Sequence, residues 1–437
     1  MRSTEKHARK EDSSEKKKRP KKEKGGGIFP KRIPYAILVL LMGLAAAALM
    51  AAMIVVDLLP TNLTLAIIAM IVIMLAVSSL LLARRKRWKR ILGILVSLLF
   101  IVVLGGLTYY LTSSYAMLNQ ISEKDDFSNA EKKGASIDPT EEAFNVYITG
   151  IDQWASEKGL DLERSDVNMI VTVNPKTKEI LLTSIPRDTY VKLHSLQAMD
   201  KLTHSGVYGV DETLDTVEDW LNIDLSYYIK MNFTAARRII NAMGGIDLYN
   251  PVAFESSLKG YQYEQGWIKK KKKRALYYAR ERHAFEGQDS IRVENQQRVM
   301  KAMIKKMTSS TTLLTKYGEI MKVAGENLHT SMSYDEIRAL VKMQMADLAE
   351  WDVQTQKIEG EYDMDYVASL TQSQKFSIYR ADPESVAKCV EAIRDVMNPT
   401  AEELEEAEAE RNRSYIDSMI RLFTERNKNS GEDEVQP

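Results

Sequence analysis

The sequence of 437 residues contains a single cysteine and only five histidines. The lone Cys389 excludes an intramolecular disulfide framework and a cysteine-based zinc site, and the scattered histidines argue against a histidine-rich metal site. No GxSxG, Walker A, HExxH or GxGxxG context occurs, so lipase, P-loop, zincin and Rossmann interpretations have no support. Because 45% of the residues are hydrophobic and no repeat dominates, collagen-like, coiled-coil and wholly disordered classes are excluded as well.

Charge is almost missing from one long segment, although the chain carries 60 basic and 60 acidic residues in total. Residues 33–83 hold one charged side chain, Asp57. Residues 1–32 hold 13 basic and 5 acidic side chains, and residues 84–90 (RRKRWKR) add six basic ones. Residues 91–437 hold the remaining 41 basic and 54 acidic side chains. The zero net charge therefore hides a sorted distribution that a uniform soluble globule would not have.

Three apolar runs are long enough to cross a bilayer, which takes about 20 residues. They are Ile33–Val56, Thr61–Ala83 and Ile91–Leu111. The first is not a cleavable signal peptide, because it starts late, is too long and is followed by two more runs. The basic tail and the basic loop between the second and third runs indicate, by the positive-inside rule, that both lie in the cytoplasm. The third helix then leads outward, and the rest of the chain is expected outside the cell.

Changes in charge and hydrophobicity along the sequence divide the chain into five predicted parts. The N-terminal tail is polar, basic and glycine-ended, which indicates disorder, and it has no helix-turn-helix or zinc pattern, so no nucleic acid partner is expected. The parts are a disordered basic cytoplasmic tail (1–32), three transmembrane helices (33–112), a linker (113–142), an extracellular domain (143–396) and a charged helical C-terminal tail (397–437).

From Ala143 onward, strand and helix patterns alternate. FNVYITGID, VNMIVTVN and EILLTSIP have the β-branched, apolar character of strands, and the NPKTKE turn predicts that the last two form a hairpin. Residues 211–221 and 290–307 carry apolar residues at helical spacing. Strands interleaved with helices predict an α/β layered domain.

Polar residues at strand ends form the first candidate site. Asp152 follows the first strand, Asp166 begins the second and Arg187 follows the third. Side chains at strand ends project into a shared crevice in α/β domains. Two carboxylates and an arginine there would suit Mg²⁺ and a phosphate, since Mg²⁺ takes one or two carboxylates plus phosphate oxygens. Asp152 and Asp166 equally fit turn or cap residues.

A second candidate cluster contains Arg280, Arg282, Asp289, Arg292 and Gln296. The two arginines at 280 and 282 share a face if their segment is extended, and the last three residues lie on one face of a helix start. Arginine suits phosphate or pyrophosphate because its fork donates paired hydrogen bonds. Surface salt bridges, with a helix cap at position 289, are the alternative interpretation.

Six consecutive cationic residues, Lys269–Arg274, precede this cluster in the chain. The run is interpreted either as an exposed loop or as a patch that attracts an anionic polymer or anionic lipid headgroups just outside the membrane.

At these residues the sequence resembles the LytR-CpsA-Psr family, and within it the capsule-associated CpsA-type members. Matching stretches are NVYITGID (145–152), RSDVNMIVTVNPKTKEILLTSIPRDTYV (164–191), DKLTHSGVYG to IDLYN (200–250), ALYYARERH (275–283) and DSIRVENQQRVMKAM (289–303). The order and spacing of the motifs match over residues 143–310, with weaker similarity to about residue 396. The three-helix anchor with its N-terminus inside also matches the CpsA type.

The resemblance implies an extracellular α/β/α domain with a central sheet and an apolar tunnel for a polyprenyl lipid. It implies a magnesium-dependent phosphotransferase that moves a glycopolymer, capsular polysaccharide by the CpsA likeness, from undecaprenyl pyrophosphate to peptidoglycan. The resemblance is also compatible with membrane proteins of polysaccharide synthesis as binding partners. By position, the implied magnesium ligands are Asp152 and Asp166, the implied pyrophosphate contacts are Arg187, Arg280, Arg282, Arg292 and Gln296, and the acid implied to activate the acceptor or support the metal is Asp289.

Three departures from the family pattern stand out. Many CpsA-type members carry an accessory domain where this chain has only a linker, which places the site closer to the membrane. IKKKKKRAL replaces the usual L-[ND]-G-E-Q-A-L, and Ser290, Ile291 and Asn295 replace a phenylalanine, a glycine and an arginine of the family motif. All eight implied site residues are present.

Other functions stay open on the sequence. A membrane-bound regulator of polysaccharide synthesis or transcription would use the basic tail, a lipid-pyrophosphate hydrolase would use water as acceptor, and a non-catalytic binder would need no metal ligand.

Overall fold

In the computed structural model the described residues are 33–57, 59–84, 86–123, 137–151, 164–271, 273–284, 288–370, 373–409 and 413. The predicted N-terminal tail lies outside them. Of the predicted C-terminal tail, residues 401–409 are helical, as expected, and almost all of the remainder lies outside the described residues.

Three N-terminal helices match the predicted membrane spans: α1 (Ile33–Val56), α2 (Thr61–Ala83) and α3 (Arg87–Glu123). Each is long and apolar enough to cross a bilayer. They pack through a shared core that includes Met42 and Phe100, while many other apolar side chains on their surface stay exposed, as lipid-facing residues would be. Helix α3 continues well past Leu111, so the first part of the segment predicted as a linker is helical.

A six-stranded mixed sheet forms the centre of the domain. Its strands are β1 (Phe144–Ile151), β2 (Ser165–Asn174), β3 (Glu179–Ile185), β6 (Tyr227–Asn232), β11 (Leu328–Thr330) and β12 (Asp352–Lys357), in the order β11-β6-β1-β2-β3-β12. β1, β2 and β3 run antiparallel in succession, which confirms the predicted hairpin of β2 and β3. β6 is parallel to β1, and β12 is parallel to β3.

Helices cover both faces of the sheet, so the predicted α/β/α layering is confirmed. Alternation along the strands sends Tyr147 and Ile170 to one face and Val146 and Met169 to the other. The first face packs against α5 (Val210–Leu221) and α11 (Pro383–Met397), and the second against α8 (Gln288–Met307) and α10 (Tyr334–Asp347).

Short hairpins and further helices complete the domain. The hairpins are β4 (Tyr190–Lys192) with β5 (Met199–Lys201), β7 (Ile246–Asn250) with β10 (Gly266–Lys271), β8 (Phe254–Glu255) with β9 (Gln262–Tyr263), and β13 (Gly360–Asp365) with β14 (Phe376–Ala381). The helices are α4 (Leu202–Ser205), α6 (Phe233–Ala242), α7 (Lys273–Arg280) and α9 (Ser310–Asn327).

The described residues of the cationic run, 269–271, 273 and 274, belong to a strand and a helix rather than to a loop, and Lys269 and Arg274 are exposed. The first residues of the run continue β10, which pairs with β7 from Gly266 to Lys271, and α7 begins at Lys273. The strand persists because Ile268 is buried in the core while Trp267 is exposed, which is the alternation a half-buried strand requires.

The extended segment in which Arg280 and Arg282 would share a face does not occur at Arg280, which is the last residue of α7. Ala275, Tyr278 and Ala279 are all buried at i, i+3 and i+4, and burying that stripe requires a helix. Arg280 and Arg282 therefore lie on either side of a helix end.

The domain lies directly on the membrane helices. Lys342 on α10 places Nζ 2.7 Å from Oδ1 of Asp57, the residue that follows α1. The backbone N–H of Gly318 on α9 donates to the hydroxyl of Tyr110 on α3 at 2.8 Å. Val56 at the end of α1 is buried against α9. The end of α1 and the domain are thus on the same side of the membrane helices.

This docking predicts a specific cross-link. Cysteines introduced as Asp57→Cys and Lys342→Cys are expected to be joined by a short bis-maleimide in intact membranes, because the native side chains touch. Background from Cys389 is expected to be low, since that residue is buried.

The control pairs Asp57→Cys with Lys388→Cys, an exposed position on α11. Electrophoretic mobility of the single chain reports the cross-link. Equal cross-linking of both pairs, or none in the contact pair, would contradict the docked arrangement.

Candidate active site

The ends of β2 and β3 bring the first candidate residues together. Because the two strands are antiparallel and Asn168 pairs with Ile185, the start of β2 lies beside the end of β3. Asp166 is the second residue of β2, and Arg187 follows Pro186 after β3. Their side chains form an ion pair, with Arg187 Nη1 2.6 Å from Asp166 Oδ1. The structure thus brings two of the three candidate residues, Asp166 and Arg187, together at one end of these strands.

The ion pair belongs to a longer chain of charges that the sequence pattern did not reveal. Arg187 Nε lies 3.4 Å from Asp188 Oδ2, and Asp188 Oδ1 lies 3.3 Å from Lys201 Nζ. The sequence feature that could have pointed to Lys201 is the adjacent acid and base at the start of the motif DKLTH. Alternating charges of this kind hold the side chains in place.

These residues line an open cleft of about 890 Å³. Its lining side chains include four bases, four acids, one histidine and two tyrosines: Arg164, Arg187, Lys201, Arg282, Asp166, Asp188, Glu359, Glu361, His204, Tyr362 and Tyr379. Burial raises the pKa of Tyr379 to about 12, so its phenol stays protonated at neutral pH. The cleft therefore offers guanidinium and ammonium donors for phosphate oxygens and carboxylates for a hard cation.

The second candidate cluster spreads over three neighbouring places. Arg282 lines the cleft itself. Arg292 lines a smaller adjoining pocket, of which Arg187 is also a wall. Gln296 lines an apolar pocket between the sheet and helices α6, α7 and α8. The guanidinium of Arg280 lies 4.8 Å above the ring of Phe233, another wall residue of that apolar pocket. The four residues of the cluster whose side chains are described thus lie at neighbouring pockets rather than in one shell.

The apolar pocket opens near the end of β1. Its walls include Ile148 of β1, Val167 of β2 and four methionines, Met169, Met231, Met300 and Met303. Its volume is about 70 Å³. Methionine side chains are unbranched and adaptable, so this interior can change shape at low energetic cost.

Glu281 holds the segment that carries the two arginines, and the sequence pattern did not single it out. Its carboxylate is fully buried. It accepts hydrogen bonds from the hydroxyls of Ser256 and Ser257 at 2.7 and 2.8 Å and from the backbone N–H of Ser257 at 2.9 Å. It also accepts from the backbone N–H of Arg282 and His283, both at 3.0 Å. The carboxylate therefore fixes the chain immediately after α7.

The profile of the LytR_cpsA_psr family matches residues 108–393. The chain belongs to the LytR-CpsA-Psr family. The match begins inside α3, so the family region includes the end of the third membrane helix as well as the domain.

Characterised relatives of this LytR-CpsA-Psr protein are named as transferases. The polyisoprenyl-teichoic acid–peptidoglycan teichoic acid transferase TagU of Bacillus subtilis (strain 168) is 33% identical over 62% of this chain and 83% of its own length. The transferase of the same name from Bacillus licheniformis is 29% identical over 72% of this chain and 98% of its own.

Solved structures also resemble this LytR-CpsA-Psr protein. TagT bound to LIIa-WTA is 25% identical, with a TM-score of 0.49 over 61% of this chain and 95% of that one. B. subtilis TagV is 27% identical, with a TM-score of 0.49 over 60% of this chain and 99% of that one.

Two implied site residues of this family member lie partly or wholly beyond the described geometry. Asp152 lies outside the described residues. Asp289 has its backbone in the first turn of α8, and its side chain lies outside the described part. Among the described residues, His, Cys, Asp and Glu form no group of three or more that could hold a metal ion. The roles of Asp152 and Asp289 therefore stay predictions.

Proposed function

We propose that this protein is a membrane-anchored phosphotransferase that moves a glycopolymer from undecaprenyl pyrophosphate to peptidoglycan and forms a phosphodiester link. The observation that carries the proposal is the convergence of Arg187, Lys201, Arg282 and Asp166 on one cleft. An apolar pocket shares the adjoining strands β1 and β2. The names of the TagU relatives, which act on polyisoprenyl-linked teichoic acid and peptidoglycan, support the same reaction class.

The proposed step transfers a phosphoryl group together with its glycan. A peptidoglycan hydroxyl attacks the phosphorus nearest the glycan, and a new O–P bond forms. The bond from that phosphorus to the bridging oxygen breaks, and undecaprenyl phosphate leaves with the electron pair. Negative charge grows on the leaving phosphate, where Arg187 and Arg282 would donate forked hydrogen bonds. The pyrophosphate itself stores the free energy, so the reaction needs no ATP.

Magnesium is the cofactor we propose. Bound Mg²⁺ would neutralise phosphate charge as the P–O bond breaks. Asp166 fits the role of a ligand because its carboxylate is partly exposed at the cleft and the ion pair with Arg187 uses only Oδ1 among the contacts described. One or two carboxylates suffice for Mg²⁺, since phosphate oxygens and water complete its shell. The family resemblance adds Asp152 as the second ligand and Asp289 as an acid near the acceptor.

The apolar pocket is the proposed entry of the lipid chain. Only a small volume is open, but the four methionines can move aside as a polyprenyl chain enters. Arg280 beside Phe233, and Gln296 in the pocket wall, would then lie near the junction of lipid and pyrophosphate. This arrangement keeps the charged group at the mouth and the hydrocarbon inside.

We propose that the domain faces the outside of a Gram-positive-type cell membrane, with the N-terminus in the cytoplasm. The contact of Asp57 with Lys342 places the α1–α2 loop on the domain's side. The basic loop at residues 84–90 lies at the other end of α2, which the positive-inside rule assigns to the cytoplasm.

The most specific part of the proposal is the identity of the polymer that is transferred. The CpsA-type anchor favours capsular polysaccharide, whereas the names of the relatives favour teichoic acid. Both polymers present the same lipid pyrophosphate to the cleft, so a transfer assay with each lipid-linked polymer discriminates between them.

Transfer is expected to depend on magnesium. Purified full-length protein in lipid nanodiscs would be incubated with a synthetic lipid-pyrophosphate glycan and peptidoglycan fragments, with Mg²⁺ or with EDTA. We expect chelation to lower the rate about 100-fold, because a bound divalent cation contributes several kcal/mol to such a transition state. Re-adding Mg²⁺ should restore the rate, which controls for damage to the protein.

Mass spectrometry of the products separates the alternatives. A glycan–phosphate–peptidoglycan adduct supports the transferase. Free phosphorylated glycan would instead identify a hydrolase. Unchanged substrate with retained binding would identify a binder or regulator, and for a regulator, deletion of residues 2–30 should change polymer length or expression.

A further inference from the structure

Helix α4 carries a histidine into the cleft that the proposed step does not yet use. All four residues of α4 are buried, and His204 lines the same cleft as Arg187 and Arg282. The backbone N–H of Thr203 donates to the carbonyl of Arg187 at 2.9 Å, and that of Leu202 donates to the carbonyl of Thr189 at 2.8 Å. The position of His204 is therefore tied to the segment that carries the ion pair with Asp166.

The His204 ring is held by two partners from different parts of the chain. Its Nδ1 lies 2.7 Å from Oδ1 of Asp200, a carboxylate with no exposed surface. The hydroxyl of Ser369 lies 2.9 Å from the same Nδ1. The backbone N–H of Ser369 donates to Asp200 Oδ2 at 2.7 Å, and that of Lys201 donates to Asp200 Oδ1 at 2.7 Å. Asp200 and Ser369 are thus positioning residues for the imidazole.

The contacts decide which ring nitrogen carries the proton in neutral His204. Burial pushes the pKa of Asp200 upward, but hydrogen bonds from His204 and Ser369 outweigh it, and the net pKa is below its usual value. Asp200 is therefore a carboxylate at neutral pH, and a carboxylate only accepts hydrogen bonds. Nδ1 must carry the hydrogen, which leaves a lone pair on Nε2. Within the described part of the chain, both hydrogen bonds of the ring use Nδ1.

We propose that His204 is a further catalytic residue, whose Nε2 accepts the proton of the attacking acceptor hydroxyl. The inference rests on the proposed transferase function. As the acceptor oxygen bonds to phosphorus and undecaprenyl phosphate leaves with the electron pair, the hydroxyl proton moves to Nε2. Asp200 stabilises the imidazolium that forms, in the way a buried carboxylate stabilises a general base. Asp289 is then left with the second role that the resemblance implies, support of the metal shell.

The charged groups around α4 come from four packed elements. Asp200 and Lys201 lie on β5, Arg187 and Asp188 follow β3, Asp166 lies on β2 and Glu212 lies on α5. The only carboxylate among these with a hydrogen bond to the imidazole within the described residues is that of Asp200. A general base must be deprotonated to accept a proton, so the use of His204 as a base predicts a rate that rises with pH.

The test compares two histidine–aspartate pairs of the same protein. His204→Gln is expected to lower kcat about 10²- to 10⁴-fold, to leave KM for the lipid substrate within about threefold, and to remove the rising limb of the pH–rate profile. His194 also contacts an aspartate through Nδ1, at 2.7 Å from Asp219, but it is exposed and does not line the cleft. His194→Gln is therefore the matched control and should keep both kcat and the pH limb.

Ser369→Ala separates positioning from folding. It keeps the imidazole and removes one of its two partners, so we expect an intermediate loss of kcat, about tenfold, with the pH limb retained. Circular dichroism and thermal unfolding would check that each variant is folded. A His204→Gln variant that is folded and keeps the wild-type pH limb, with kcat within twofold, would overturn the proposal.

A spectroscopic measurement tests the proposal without turnover. In full-length protein with ¹⁵N-labelled histidine, assigned by comparison with His204→Gln, the His204 signal should show a protonated Nδ1 and an unprotonated Nε2 at pH 8. A proton on Nε2 would overturn the base assignment, whatever the activity. If the wild type converts no lipid-pyrophosphate substrate at all, the proposed function fails, and that result is distinct from either outcome for His204.

Discussion

Replacing Arg282 with alanine is expected to abolish attachment of glycopolymer to the cell wall while leaving membrane insertion intact, and Arg280→Ala is expected to do the same. Arg282 lines the cleft, where its fork can donate two hydrogen bonds to phosphate oxygens. Arg280 lies 4.8 Å above Phe233, which holds its charge beside the apolar pocket. Removing one preorganised donor to a developing oxyanion lowers kcat about 10²- to 10³-fold.

The measurement has two parts. Transfer from synthetic lipid-pyrophosphate glycan gives kcat, and wall-bound polymer in cells gives the physiological result. Arg282→Lys should remain strongly impaired, because lysine keeps the charge but not the planar fork.

Arg394→Ala is the matched control for these variants, since Arg394 lies on α11 outside the cleft and donates to the carbonyl of Asn222. Normal attachment by either site variant, in a strain without a redundant relative, would contradict the assignment of this cleft.

Glu281→Ala is expected to destabilise the domain strongly. The buried carboxylate accepts six hydrogen bonds, which come from Ser256, Ser257, Arg282, His283 and Ala284. Removing the carboxylate leaves these donors without their acceptor. Breaking a buried charged network lowers the free energy of unfolding by about 3–5 kcal/mol. For a domain of this size the midpoint of thermal unfolding should fall by about 10 °C. Activity should be reduced even at temperatures well below that midpoint, because Glu281 no longer fixes the segment that carries Arg280 and Arg282.

The stability contributed by Glu281 is expected to depend on pH. Burial tends to raise its pKa, but hydrogen bonds from Ser256 and Ser257 outweigh this, and the pKa in the folded state is lowered. A lowered carboxylate pKa contributes stability that is present above the unfolded-state pKa, about 4.3, and is lost as pH falls through the folded-state pKa. Glu281→Gln should therefore unfold at a lower temperature at pH 7 and lose less further stability on acidification than the wild type.

Glu255→Gln is the control for both Glu281 variants. Glu255 lies on the neighbouring β8–β9 hairpin and accepts from Gln262 at an exposed position, so its change should stay within about 0.5 kcal/mol. Differential scanning calorimetry between about pH 2 and pH 7 measures all three variants, since the predicted loss of stability lies below the unfolded-state pKa. An unchanged midpoint for Glu281→Ala would refute the anchoring role.

Local sequence patterns predicted the elements well, because hydrophobic periodicity is a local property. The bounds of α1 and α2 match the apolar runs, and the β2–β3 hairpin follows from two strand patterns separated by a turn. The meeting of Asp166 with Arg187 was also predictable, since a hairpin places the start of one strand beside the end of the next. The spacing of Arg280 and Arg282 did not decide the element that carries Arg280, whereas the buried stripe at Ala275, Tyr278 and Ala279 requires a helix.

What the sequence by itself determined is the anchor, the layered fold and the family, and it supplied the candidate site residues. What only the tertiary structure decided is how distant residues combine. Ser369 reaches His204 across 165 residues, Glu281 reaches Ser256 across 25, and Lys342 reaches Asp57 across 285. No local pattern encodes these contacts, because each joins polar groups from separate elements that meet only once the core has formed. The single near-isolated charge of the apolar region, Asp57, thus marks the position where the domain rests on its anchor.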